Sequence, residues 1–190
     1  MKTLLQSFIV AYILTGAFAM SAAQNEIILF DFKNPDYLKP WQIINDTVMG
    51  GISESSLRSS GSGTALFTGA VSLKNFGGFC SASSRENKNY DLSTSQGIAA
   101  RIRGDGKAYK LTLKTDTSFN GYAYQLSFTT KKDQWLTVQA PFKDFIARFR
   151  GTTQPDAPPV KKAEIKSFGF LIGDKQEGPF SLEVEWIKAY

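Results

Sequence analysis

The side chains able to carry chemistry in this chain are its carboxylates. There is no histidine and a single cysteine, Cys80. That excludes Ser-His-Asp and Cys-His catalysis, imidazole and thiolate zinc sites, and an intramolecular disulfide. Glycoside hydrolysis runs on two carboxyl groups without histidine. Its candidates are Asp31, Asp46, Asp105, Asp116, Asp174, Glu183 and Glu185. Glu183 and Glu185 fall on one face of an alternating strand, opposite Trp186, where solvent exposure accounts for them. Asp46 and Asp174 fall in loops and are free to converge, but spacing alone assembles no acid pair. No catalytic residue and no cofactor is assigned. A calcium site would call for a dense Asp/Asn run, which the chain lacks, so no metal site is expected.

Binding residues are easier to nominate. Asn45 to Ser53 (NDTVMGGIS) joins a turn-forming Asn-Asp pair to a glycine doublet through the buriable Val48 and Met49. A second doublet follows in Asn75 to Phe79 (NFGGF). Such doublets mark positive φ or close approach of two backbones. The candidate patch beside them is Asp46, Met49, Asn75, Arg103, Asp105 and Arg150, with Trp41 as the aromatic group expected to be partly exposed. Asp46 and Asn75 would fix backbone geometry or a polar ligand, and Met49 would give adaptable apolar contact. Arg103 and Arg150 suit acidic groups. The competing explanation is structural, since turn chemistry alone favours these residue types. Arg103-Gly104-Asp105-Gly106 reads first as a tight hairpin turn, and its RGD string as chance.

Met1 to Ala23 reads as a secretory signal peptide, with Lys2 before an apolar core (Phe8 to Met20) too short to span a membrane comfortably. Removing it takes Lys2 and no acid, so the charge falls from +5 to +4. What remains, residues 24–190, has the size of one domain. The basic doublets Lys131-Lys132 and Lys161-Lys162 lie beside turns and read as solvated faces, so no nucleic-acid partner is expected. Cys80 follows Phe79 in an expected strand and reads as a small buried hydrophobe.

Nearly every other segment is strand-like. Tyr109, Leu111 and Leu113 alternate with Lys110, Thr112 and Lys114. Phe180, Leu182, Val184 and Trp186 alternate with Ser181, Glu183 and Glu185, the period of a half-buried strand. Further strands are expected at 26–32, 64–73, 78–83, 97–103, 122–130, 134–140 and 165–172, with one short helical turn within 141–149. Residues 54–63 (ESSLRSSGSG) read as a mobile surface loop, and 150–162 as a proline-rich connection. Short strands separated by turns, with alternating faces, make an all-β antiparallel sandwich of jelly-roll type, with a closed barrel as the competitor.

An ordered set of motifs then gives a specific resemblance. W-x4-D-x-V-M-G-G-x-S (Trp41 to Ser53), F-T-G (Phe67 to Gly69) and N-F-G-G-F (Asn75 to Phe79) come first. RIRGDGKAYKL (Arg101 to Leu111), W-L-T-V-x-x-P-F-x-x-F (Trp135 to Phe145), ARFRG (Ala147 to Gly151) and SFGFLIGDKQEGPFSLEVEWIKA (Ser167 to Ala189) follow. In this order they resemble the complex I intermediate-associated protein 30 family. The resemblance implies a galactose-binding-domain-like sandwich over residues 24–190. It also implies a non-catalytic, chaperone-like role in assembly of respiratory NADH:ubiquinone oxidoreductase, with a protein partner. The targeting segment points to an exported, bacterial-type member in the periplasm. A carbohydrate-binding module or glycan-active protein of the cell envelope is the alternative, with carbohydrate as the ligand.

Overall fold

The computed structural model describes residues 26–85, 89–116 and 121–190; the expected signal segment lies outside them. The described residues form thirteen strands in two antiparallel sheets, joined by 3-10 turns. The strands are β1 Ile27–Asp31, β2 Trp41–Asn45, β3 Glu54–Ser59, β4 Ala65–Val71, β5 Cys80–Ser84, β6 Gly97–Gly104 and β7 Ala108–Lys114. They continue with β8 Ala123–Thr129, β9 Trp135–Pro141, β10 Ile146–Phe149, β11 Thr152–Thr153, β12 Ser167–Ile172 and β13 Gly178–Ala189. One sheet has the order β3-β4-β13-β6-β9, with β1 also pairing β13; the other runs β11-β10-β8-β7-β12-β5-β2. Two face-packed sheets make this a sandwich and remove the barrel alternative.

The alternation in the sequence builds the core. Tyr109, Leu111 and Leu113 of β7 turn inward to join Phe67, Ile102, Phe168, Phe170, Phe180 and Leu182, all of them buried. Each such side chain withdrawn from water contributes about 1.5–3 kcal/mol before chain entropy is counted. Cys80 is fully buried among them, and burial pushes its thiol up to about 11. It is an inert core residue, in line with its setting in the sequence.

Four strands lie outside the segments expected to form them. Residues 54–59 form β3, paired with β4 along its length, so only Ser60 to Gly63 are loop. The serines disguise a strand whose outer face is hydrated and whose partner supplies the hydrogen bonds. Trp41 likewise opens β2 rather than sitting in a loop. β10 and β11 close a two-strand hairpin beside the expected turn at Phe142–Asp144. Asp105-Gly106 is a turn, with Gly106 at φ 97, but it makes no hairpin: β6 and β7 belong to different sheets, and the turn crosses between them.

β13 contains the other departure. Its pairing with β6 shifts register between Val184 and Trp186, where Glu185 is the extra residue. A bulge inverts the parity that follows it. Ile187 and Ala189 therefore enter the core, while Trp186 lies half-buried under Lys188, 4.5 Å from its ring centre.

Candidate functional site

The two glycine doublets meet through Asp46. Asn45 ends β2, and Asp46–Met49 makes a single 3-10 turn that closes on Gly50 in the left-handed region. This turn drives the Asp46 carboxylate under the second loop, where it is fully buried. Among the described residues its oxygens accept from the Ser53 N–H (2.9 Å), the Gly78 N–H (2.6 Å), the Phe79 N–H (3.2 Å) and, closely, the Ser53 hydroxyl. Gly51 and Gly77 are required by this packing. A Cβ on Gly77 would lie 2.7 Å from Asp46 Oδ2, and one on Gly51 would overlap the same carboxylate. Burial pushes the Asp46 pKa up, but the Ser53, Gly78 and Phe79 donors outweigh it and hold it below the usual 3.8. The group stays ionised, with three of these donors on Oδ2 and one on Oδ1. Asp46 ties the two loops together, and its carboxylate is closed off from solvent.

What the corner presents outward is apolar. Val48, Met49 and Ile52 are 60, 59 and 48% exposed on the first loop, and Leu73 and Phe76 are 38 and 99% exposed on the second. Asn75 and Phe76 both sit at positive φ (55 and 60), which aims the Phe76 ring into solvent. Non-glycine residues take this conformation at a cost, so the display is fixed by the surrounding packing. The sequence marks Met49 here, but it presents Val48 as buriable and does not single out Ile52, Leu73 or Phe76. The available signal is that each sits within a few residues of a glycine doublet.

The remaining nominated residues do not join this patch. Arg103 is on the outer face of the six-stranded sheet, its Nε 2.9 Å from Glu183 Oε2 with a second, closer contact through Nη2. Glu183 is thus buried and paired, not solvated, and also accepts from the Thr64 hydroxyl at 2.6 Å. Arg103 further stacks over Trp135, 5.2 Å from the ring centre. Asp105 accepts from the Lys107 N–H, the Tyr109 hydroxyl and the Ser181 N–H, which fastens the crossing between the sheets. Arg150 sits over Phe149 in the β10–β11 turn, at the opposite edge of the seven-stranded sheet from β2. Trp41 is partly exposed, as expected, and packs its ring against Phe30, Phe32 and Phe170 at the margin of the core.

No acid pair assembles from Asp46 and Asp174. Asp174 meets Lys110 at 2.5 Å, while Asp46 is enclosed by its own donors. Among the described residues no group of three or more Cys, Asp or Glu side chains is placed to hold a metal ion. No helix among them is long and apolar enough to cross a membrane.

A groove of about 920 Å³ runs beside the corner along the seven-stranded sheet. Thr47 and Val48 form one end, Gln42, Asn45 and Ser83 lie along it, and Arg85, Lys114, Lys166 and Asp116 form the other end. Burial and the neighbouring Arg85 push the Lys114 pKa down, with Asp116 opposing them.

Known proteins resemble this chain in sequence and in fold. It is 30% identical over 183 residues to the mitochondrial complex I intermediate-associated protein 30 of Mus musculus, covering 86% of this chain and 56% of that protein. The Drosophila melanogaster counterpart is 28% identical over 181 residues, covering 84 and 61%. The chain therefore spans little more than half the length of these relatives. Among solved structures, a family 11 carbohydrate-binding module of a cellulosomal cellulase of Clostridium thermocellum superimposes with a TM-score of 0.67 at 19% identity, covering 88% of this chain and 95% of that module. A family 30 module from the same organism gives 0.51 at 13% identity, covering 87 and 96%. At such identities the likeness concerns the fold alone. Residues 30–184, from the first core strand to the bulge of β13, match the complex I intermediate-associated protein 30 family, and the chain is a member of it.

Proposed function

We propose that this chain is a non-catalytic binding domain that assists, chaperone-like, in assembling a membrane or envelope protein complex. The observation that carries the reading is the apolar rim of the glycine corner: five large side chains held in water on two loops that Asp46 ties together. Several large apolar groups exposed on neighbouring, tied loops are a feature of protein-binding surfaces. The family supplies the kind of partner, since its mitochondrial members are named for a complex I intermediate. The leader-like residues 1–23 add export to the periplasm as part of the proposal.

The test is crosslinking in intact cells with the full chain and with Met49→Asp/Phe76→Asp. Both side chains are largely in solvent, so the variant should keep its thermal midpoint, with a stability change within about 0.5 kcal/mol. The expected outcome is that subunits of one membrane complex are captured by the parent chain and lost with the variant. Equal capture by both would remove the rim from the interaction.

A second reading, binding of an envelope glycan, has the groove in its favour, together with the sandwich shared with carbohydrate-binding modules. It ranks second because, among the described residues, no aromatic side chain lines that groove to stack on a sugar ring. Calorimetric titration with envelope oligosaccharides would promote it if heat is saturable and disappears with Gln42→Ala/Ser83→Ala.

A further inference from the structure

We propose that the groove of the seven-stranded sheet receives an extended acidic segment of a partner protein, continuing from the apolar rim. The inference rests on the protein-binding reading above and names the chemistry of a second contact. Three observations support it. Val48 belongs to both surfaces, lining the groove and standing 60% exposed on the rim, so a chain leaving the rim enters the groove directly. Among the described residues of the lining, the cations Arg85, Lys114 and Lys166 outnumber the one carboxylate, Asp116, at the far end. Between the two ends Gln42, Asn45 and Ser83 offer amide and hydroxyl groups of the kind that pair with peptide backbone.

The charges are arranged for a ligand that brings its own. Arg85 and Lys166 line this end beside Lys114, whose charge Asp116 favours more than Arg85 opposes it. A carboxylate arriving at this end meets Arg85, whose guanidinium takes it with two parallel hydrogen bonds, with Lys166 beside it. A neutral sugar would bring no charge to this end, and among the described residues the lining has no aromatic side chain to stack on it. Binding of an acidic segment is therefore expected to weaken with salt, because the cations are not sealed from solvent.

Fluorescence anisotropy with the full chain decides the matter. The probe is a labelled decapeptide with leucines at one end and glutamates at the other; its control carries lysines in place of the glutamates. The expected result is saturable binding of the glutamate peptide, with none of the lysine peptide. Arg85→Glu/Lys166→Glu should weaken binding roughly tenfold or more, since two cation contacts, one exposed and one half-buried, are reversed. Unchanged thermal midpoints in the variant show that the fold is intact. Indifference to the charge reversal, equal binding of the two peptides, or no binding at millimolar concentration would each overturn the proposal. A galacturonate tetramer that binds where the peptide does not would reassign the groove to acidic glycans. If the peptide fails while Met49→Asp/Phe76→Asp still abolishes crosslinking, the groove proposal falls and the rim reading stands.

Discussion

Asp46 in the glycine corner and Glu183 on the six-stranded sheet are both carboxylates withdrawn from water, and the fold compensates them by opposite means. Asp46 meets neutral donors, two backbone N–H groups of one loop and the N–H and hydroxyl of Ser53 on the other. Glu183 meets a cation, Arg103, supported by a threonine hydroxyl. Neutral dipoles fixed by covalent geometry hold a charge without themselves needing one, so the Asp46 corner is rigid and insensitive to ions. The Glu183 pair depends on a guanidinium whose side chain is 43% exposed, and ions reach it. A corner that must present apolar groups to water gains from the first arrangement. A sheet face that only needs its charge balanced does well enough with the second.

The sharpest way to break this contrast is Asp46→Ala. It leaves several buried donors without an acceptor, each costing about 1–3 kcal/mol, so denaturant unfolding should show a loss of about 3–5 kcal/mol. A loss below about 1 kcal/mol would mean that the loops hold themselves together without the carboxylate. Glu183→Ala should cost less, about 1–2 kcal/mol, because Arg103 keeps its water and its stacking on Trp135. Repeating both measurements in molar salt sharpens the comparison: the Glu183 cost should shrink and the Asp46 cost should persist.

The smallest effect is in pH. Asp46 has a folded-state pKa below its ordinary 3.8. Its contribution is therefore present above that value and lost as the pH falls through the folded-state pKa. Thermal midpoints measured from neutral pH down to acid should fall in that window, and the fall should be shallower in Asp46→Asn. An identical slope in the two proteins would assign the acid sensitivity elsewhere.

Much of the fold is legible in the sequence because it rests on local periodicity. The alternation in β7 and in the first half of β13 names the inward faces correctly, and the two glycine doublets mark where loops approach. The departures have physical causes of their own. β3 is hidden because half its residues are serines, whose place in a strand depends on the neighbour β4 and not on their own propensity. Glu183 reads as solvated because its alternation is polar, yet Arg103 and Thr64 make its burial tolerable. Trp186 reads as inward because no sequence signal announces the extra residue at Glu185. The Asp105-Gly106 turn reads as a hairpin because turn chemistry is the same whether the next strand pairs back or crosses to the other sheet.

The sequence by itself determined the class of the protein. The absence of histidine and of a second cysteine closed most catalytic chemistry, the period-two pattern pointed to an all-β sandwich or barrel, and the ordered motifs matched its family. Only the tertiary structure decided the role of Asp46, because a carboxylate ahead of a glycine doublet reads alike as ligand or lock. Four donors, two on Ser53 and two on the Gly78–Phe79 loop, enclose the carboxylate and tie the loops together. The same closure fixes what faces outward: with Asp46 packed against Gly51 and Gly77 beneath the corner, Val48, Met49, Ile52, Leu73 and Phe76 remain exposed on its two loops.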